Sequence, residues 1–505
     1  MHQPYYKDLA TGEYKLPWTR LHALKDYRGM VRVLEEFPDV RQTFNIVPSM
    51  MVQVEDYASG QAADPFLRCA LKPAEDLSEN EQRFILRYFF QANPDRIIRR
   101  YPRYGELLDA WHASGREYKR ARRLFSAQSL RDLQVLSQIA WFDEDVLRDD
   151  SDVRGLVQKG RDFSLEDQAL VGRKQEAFLS TVIPAYQEFA AAGQIEISTT
   201  PFYHPILPLL LDKKLAREAM PDVKLPRYTG GYPEDAEVQV RRAVEAHTQV
   251  FGSPPRGMWP AEGSVCQQML PLLAKYGIRW IATDEEILSA STQGFISRDA
   301  RGHVRNPDRM YRPYKVVEAG HDLGIVFRDH ALSDMIGFHY QRSEPAAAAE
   351  DFIYHLKSIG QAVNSNEPAL VSVILDGENC WEHYPGGGVA FLRALYERCT
   401  RTPGIRPVSI GNYLQAHPPR DTLPHLFAGS WISHNYAIWI GHEEDNIRTN
   451  LRSKELSWEL AEMLKREGYR AKGTAANLKY RQEGDEWRLA LHPDISHRYI
   501  AVRSG

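Results

Sequence analysis

Two hydrophobic periods alternate along this chain: stripes at helical spacing, and short unbroken apolar runs. In residues 21–37 the positions Leu21, Leu24, Tyr27, Val31 and Leu34 share one stripe and Pro38 follows, which predicts a helix. Residues 42–47 read as a strand stopped by Pro48 and Ser49. Helical spacing then dominates residues 50–190. Ser78 and Glu81 frame a capping box ahead of Phe84, Ile85 and Leu86, and residues 164–192 predict a long helix bent near Pro184.

From Gly193 the apolar runs return. They cover 194–199, followed by His204, then 256–262 ending at Glu262, and 279–283 ending at Asp284. Two more cover 324–327, ending at Arg328, Asp329 and His330, and 371–375, ending at Asp376. Helical stretches separate them at 235–251, 264–276, 344–358 and 389–399; in the second, Ser264 is the expected N-cap and Gly277 the stop.

Strands that alternate with helices and deliver an acid or a histidine at their C-terminal ends predict a parallel α/β barrel. An open sheet binding a dinucleotide would carry a glycine-rich loop after its first strand, and none is found. The expected division is a catalytic barrel over 1–405, with a helical insertion at about 50–190 forming one cleft wall, then a mainly helical region over 406–505. In that last region, residues 451–465 predict an amphipathic helix. His2-Gln3-Pro4 leaves no room for a strand ahead of it, so the start is expected to be truncated or to lack its first strand; the C-terminal region is a candidate for truncation too.

Composition narrows the partners. The net charge is −4, from 63 Lys+Arg against 67 Asp+Glu, and implies no nucleic-acid face. The cluster Arg116, Lys119, Arg120, Arg122 and Arg123 reads as a solvated helix face rather than an anion site. No apolar run reaches membrane-spanning length, and no signal-peptide pattern opens the chain. Cys69, Cys266, Cys380 and Cys399 form no C-x-x-C pair, so neither a disulfide framework nor a zinc knuckle is expected. A cytoplasmic protein without a membrane or nucleic-acid partner is the expectation.

Glu262 and Asp376, at the ends of two strands, are expected to face each other across one pocket. Paired carboxylates suit glycoside cleavage. One attacks the anomeric carbon or activates water while the other protonates the leaving oxygen, at separations of about 5–5.5 Å in retaining and about 6.5–9.5 Å in inverting enzymes. The acid partner of such a pair needs a raised pKa, which burial among aromatic rings supplies. Trp259 and Trp381 flank the two acids and are placed either to do this while stacking on sugar rings or to pack in the core.

Four segments in this order resemble glycoside hydrolase family 57, the family of α-amylases, 4-α-glucanotransferases and branching enzymes. They are His2-Gln3-Pro4; residues 193–196 with His204; Trp259-Pro260-Ala261-Glu262; and Asp376-Gly377-Glu378 with Trp381. The resemblance implies an incomplete (β/α)7 TIM-like barrel and a retaining mechanism without metal or cofactor, on an oligo- or polysaccharide. By motif position Glu262 is the nucleophile and Asp376 the general acid/base. His2, Glu196 and His204 are expected to line the sugar subsite, with Gln3, Trp259, Glu378 and Trp381 as further substrate-binding residues. The family's first strand and its aromatic fifth motif are not recognisable here.

Two other classes compete. His2, His204, Asp329 and His330 gathered at strand ends would hold zinc, as in metal-dependent mannosidases or sugar deacetylases on related barrels. A chain lacking its first strand and fifth motif would bind glucan without turning it over.

Overall fold

The short apolar runs assemble into one sheet. In the computed structural model, which describes residues 1–8, 11–226, 229–292 and 294–442 and the backbone of 479–483 and 486–490, its strands are β1 (Gln42–Ile46), β2 (Ile195–Thr199), β3 (Gly257–Met258), β4 (Trp280–Asp284), β5 (Tyr314–Glu318) and β6 (His321–Arg328). Their order is β1-β2-β3-β4-β6-β5. All neighbours are parallel except β5, which pairs antiparallel with β6. Parallel strands need crossover connections, and the helical stretches between the runs supply them.

β3 is short for two local reasons. Pro260 has no N–H to continue a ladder, and the Trp280 ring lies across Gly257, where a Cβ would meet it at 2.0 Å. β5 lies between the runs read as strands and is not among the expected elements. Ala319 (φ 49°) and Gly320 (φ 81°) are both left-handed, which is the two-residue hairpin turn that folds β5 back along β6.

The region between β1 and β2 is helical, as expected. Ser78 and Glu81 form the capping box of the helix Glu79–Tyr88. Residues 164–192 break into Leu165–Leu179 and Val182–Ala191. Pro184 cannot donate to the carbonyl of Ser180 and its ring crowds that carbonyl, so the helix ends rather than bends there. Arg20, 1% exposed, is held by Asp64, Gln138 and Gln175, tying the first helical rod to three helices of this region.

Of the expected incomplete barrel the described residues form the six-stranded sheet, and residues 371–375 are extended but join it through a single parallel bridge, Arg328 to Ser372. Side chains replace the missing ladder: Ile374 N–H donates to Ser333 Oγ and Arg328 Nε donates to the Ile374 carbonyl. The helix expected from Ser264 begins at Leu270, where Pro271 occupies the first turn, because Val265 is engaged in an antiparallel bridge with Gly429.

Past residue 405 the chain continues onto the sheet. The helix Ile410–Ala416 docks on the sheet through Ile410 N–H to Thr43 Oγ1 (3.0 Å) and Gly411 N–H to Glu196 Oε2 (2.7 Å). In the C-terminal region Lys479–Glu483 and Glu486–Ala490 form an antiparallel hairpin. The helix expected at 451–465 lies outside the described residues. Among the described residues no helix is long and apolar enough to cross a membrane.

Candidate active site

At the C-terminal end of β3 the chain turns sharply. Glu262 and Gly263 both take left-handed backbone conformations (φ 58° each). For a glutamate this conformation costs on the order of 1–3 kcal/mol and persists only where the surroundings impose it. The segment 427–436 imposes it: Trp431 N–H donates to the Glu262 carbonyl at 3.1 Å, and its indole Nε1 donates to Glu262 Oε2 at 2.9 Å. The Glu262 carboxylate is thereby turned into the cavity and fixed.

Three further side chains continue from it. His204 Nδ1 lies 3.9 Å from Glu262 Oε1. The His2 ring stacks on the His204 ring, with centroids 4.8 Å apart and planes at 20°. His2 Nδ1 lies 3.6 Å from Asp376 Oδ1, and Asp376 Oδ2 accepts from Asn379 Nδ2 at 2.6 Å. All four side chains keep between 17% and 26% of their surface, so a ligand can reach them. They line one cavity of about 690 Å3, with Trp259, Trp431 and Ser198 in the same wall. Trp259 and Trp431 meet edge to face at 5.2 Å.

The other expected site residues stand behind this surface. Glu378 is fully buried; its Oε1 accepts from His2 N–H (2.9 Å) and Gln3 Nε2 (3.3 Å), and its Oε2 has no partner among the described residues. Burial, and then the Glu378 carboxylate, push the Tyr6 phenol well above its ordinary pKa, so Tyr6 is a fixed donor to Gln3 Oε1 (3.1 Å). Gln3 and Glu378 therefore hold His2 from below and do not face the cavity.

Glu196 is also withdrawn, accepting from Trp280 Nε1, Gly411 N–H and Thr43 Oγ1. It ties the sheet to the helix 410–416 instead of lining a sugar subsite. Trp381 is 4% exposed and donates to the Gly377 carbonyl at 3.1 Å. It touches the cavity wall, but its principal effect is to brace the turn that carries Asp376.

The expected metal quartet does not gather. Asp329 is buried against Tyr311 and Arg298, and His330 is paired with Asp334 (2.9 Å). A different trio does: one donor atom each from His2, His204 and Glu262 lie within 4.8 Å of one another. Sequence reasoning missed Trp431 and Asn379. The aromatic run at 431–436 was the available signal for the first, but nothing in it points back to residue 262.

The sheet thus presents carboxylates, histidines and tryptophans together in one cleft, side-chain types that glycoside cleavage uses. The chain belongs to glycosyl hydrolase family 57, whose model matches residues 1–425. It is thus a member of a family of glycoside hydrolases and transglycosidases. Among solved structures it is similar to the family-57 branching enzyme of Pyrococcus horikoshii, at 16% identity over 90% of this chain and 76% of that one, with a TM-score of 0.52. A family-57 branching enzyme of Thermococcus kodakaraensis matches at 13% identity, covering 92% of this chain and 79% of that one, with a TM-score of 0.52. An α-amylase of Thermotoga maritima matches at 14% identity, covering 92% and 80%, with a TM-score of 0.50. Identities this low speak for the fold.

Proposed function

We propose that the chain cleaves or transfers α-glucosidic bonds of oligo- or polysaccharide α-glucans by a retaining mechanism, with Glu262 as nucleophile and Asp376 as general acid/base. The observation that carries this is the continuous line Glu262–His204–His2–Asp376 along one cavity. In the first step Glu262 Oε1 attacks the anomeric carbon while Asp376 gives its proton to the glycosidic oxygen, and the bond from carbon to that oxygen breaks. In the second, Asp376 takes a proton from water or a sugar hydroxyl whose oxygen attacks the same carbon, and Glu262 leaves. The Trp431 N–H steadies the carboxylate through both steps. The stacked imidazoles of His2 and His204 offer ring nitrogens to sugar hydroxyls, and Trp259 offers an apolar face. Four unpaired cysteines accord with a cytoplasmic location.

The test is chromatography of products from maltoheptaose and from glycogen. Native protein is expected to yield shorter or longer glucans, and Glu262→Gln none. Equal product from Glu262→Gln would remove the nucleophile assignment. The trio His2, His204 and Glu262 supports a second reading, a divalent metal held by two imidazoles and a carboxylate. That reading predicts loss of turnover in EDTA with recovery in zinc; the carboxylate mechanism predicts no effect of either.

A further inference from the structure

The last residue of β6 reaches toward both acids without lining the cavity. Arg328 is buried, and each nitrogen of its guanidinium is directed at a different segment. Nη1 donates to Asp284 Oδ2 (3.0 Å) at the end of β4, Nη2 to Asp334 Oδ1 (2.6 Å) in the helix His330–Asp334, and Nε to the Ile374 carbonyl (2.9 Å). The guanidinium carbon lies over the Trp431 ring, 5.3 Å from its centroid.

Two of these contacts lead to the acids. Trp431 is the residue whose main-chain and indole N–H groups hold Glu262. Ile374 stands two residues before Asp376, in the extended segment that a single bridge joins to the sheet. The other two contacts fix the guanidinium itself. Asp284 and Asp334 balance its charge, and both also face His330, at 3.6 and 2.9 Å.

Arginine suits this place for a geometric reason. Its fork is planar, with donors in fixed directions and faces that stack on rings, whereas lysine offers one flexible point charge. A cation over an indole face also draws density from the ring, which strengthens Nε1–H as a donor to Glu262. A buried arginine kept as an ion pair would need the two carboxylates and nothing more, and such pairs gain little over well-packed apolar side chains. Here the remaining contacts go to a carbonyl and a ring that belong to the two acid-bearing segments.

We infer that Arg328 is a positioning residue for the reaction proposed above: it joins the turn carrying Glu262 to the segment carrying Asp376 and holds the two acids at one separation. Retaining cleavage depends on that separation, because the acid must reach the glycosidic oxygen while the nucleophile reaches the carbon bonded to it. The joint is defined by the contacts of Arg328 alone; its effect on turnover rests on the roles given to Glu262 and Asp376.

The test sets Arg328→Lys beside Arg20→Lys, the same substitution at a buried arginine of the helical region. kcat/KM is measured on two donors, maltoheptaose and α-glucosyl fluoride. The first needs a proton on its leaving oxygen; fluoride leaves without one. Misplacing Glu262 slows both donors, and misplacing Asp376 adds a loss on maltoheptaose alone. Arg328→Lys is expected to lower kcat/KM about tenfold on the fluoride and about a hundredfold or more on maltoheptaose, while Arg20→Lys lowers the melting midpoint and leaves both rates unchanged. Equal losses on the two donors would remove the arm to Ile374, and a loss confined to maltoheptaose would remove the arm to Trp431; either overturns the joint. Hydrogen exchange supplies a readout that needs no turnover. Peptides covering 370–376 and 428–433 are both expected to exchange faster in Arg328→Lys than in the native chain and in Arg20→Lys, and an unchanged rate in either peptide overturns the joint. Both peptides loosened, in a protein whose native form acts on neither donor, would keep the joint and count against the function proposed for the site. Should Arg328→Lys not fold, Asp334→Asn frees one arm of the guanidinium at a partly exposed carboxylate. It is expected to give a smaller split in the same direction, and no split there overturns the joint as well.

Discussion

Glu262 is strained, largely buried and accepts a hydrogen bond from a neutral donor, the Trp431 indole. A hydrogen bond to a charged group contributes about 1.5–3 kcal/mol, so Trp431→Phe, which keeps an aromatic though smaller ring and removes the N–H, is expected to lower kcat/KM roughly ten- to a hundredfold. Unchanged kcat/KM with an intact melting midpoint would show that the bond only decorates the site. His330 gives a second prediction at this scale. Its hydrogen bonds to Asp284 and then Asp334 raise its pKa from 6.5 to about 10. The stability this contributes is complete below pH 6.5 and is lost as pH rises through about 10. His330 is 42% exposed, so the effect is modest. Urea midpoints at pH 6, 8 and 10 should fall more steeply for the native chain than for His330→Gln; parallel slopes would refute the pairing. The acids at strand ends and the two histidines were legible in the sequence because position after an apolar run marks them. Gln3, Glu196 and Glu378 were misplaced because the sequence does not say whether a polar side chain beside the site turns toward the cleft or toward a buried partner.

The elements show how short segments are held in place by distant ones. Gly263 is the clearest case. A Cβ there would sit 2.9 Å from the Trp259 ring and 3.3 Å from Trp431, at a φ of 58°. Gly263→Ala is expected to displace the Glu262 turn and cut kcat/KM at least tenfold, with a smaller loss of stability, about 1–3 kcal/mol from the backbone strain. Retained activity would mean that the turn tolerates adjustment. Ser78→Ala removes a capping box far from the site and should cost about 1 kcal/mol in a chemical melt without changing kcat/KM. Capping boxes and proline stops were readable because they act within four residues. The β5 hairpin was not: Tyr314–Glu318 is too short to separate from a loop by alternation, and the turn rests on Ala319, a residue with no turn signature. The extended segment 371–375 looked like an ordinary strand because its apolar run is one; only its partners differ.

In the whole molecule the site draws on residues from both ends of the described chain. His2 stands at position 2 and Trp431 beyond residue 425, where the family match stops. A chain ending at residue 425 loses Trp431 and the Val265–Gly429 bridge. It is expected to bind maltoheptaose weakly and turn it over at least a hundredfold more slowly, even where circular dichroism shows native helix content. The parallel order of β1 to β4 and β6 could be anticipated from the alternation of strands and helices, but closure could not, because closure depends on pairing between strands remote in sequence. The role proposed for Glu262 requires a covalent bond between its carboxylate and the sugar. Its most direct test is intact-mass and peptide mass spectrometry after incubation with 5-fluoro-α-glucosyl fluoride, which slows the second step more than the first. A single glycosyl adduct on the peptide containing Glu262, absent in Glu262→Gln, is the predicted result. An adduct on another residue, or none while maltoheptaose is turned over with inversion at the anomeric carbon, would contradict it.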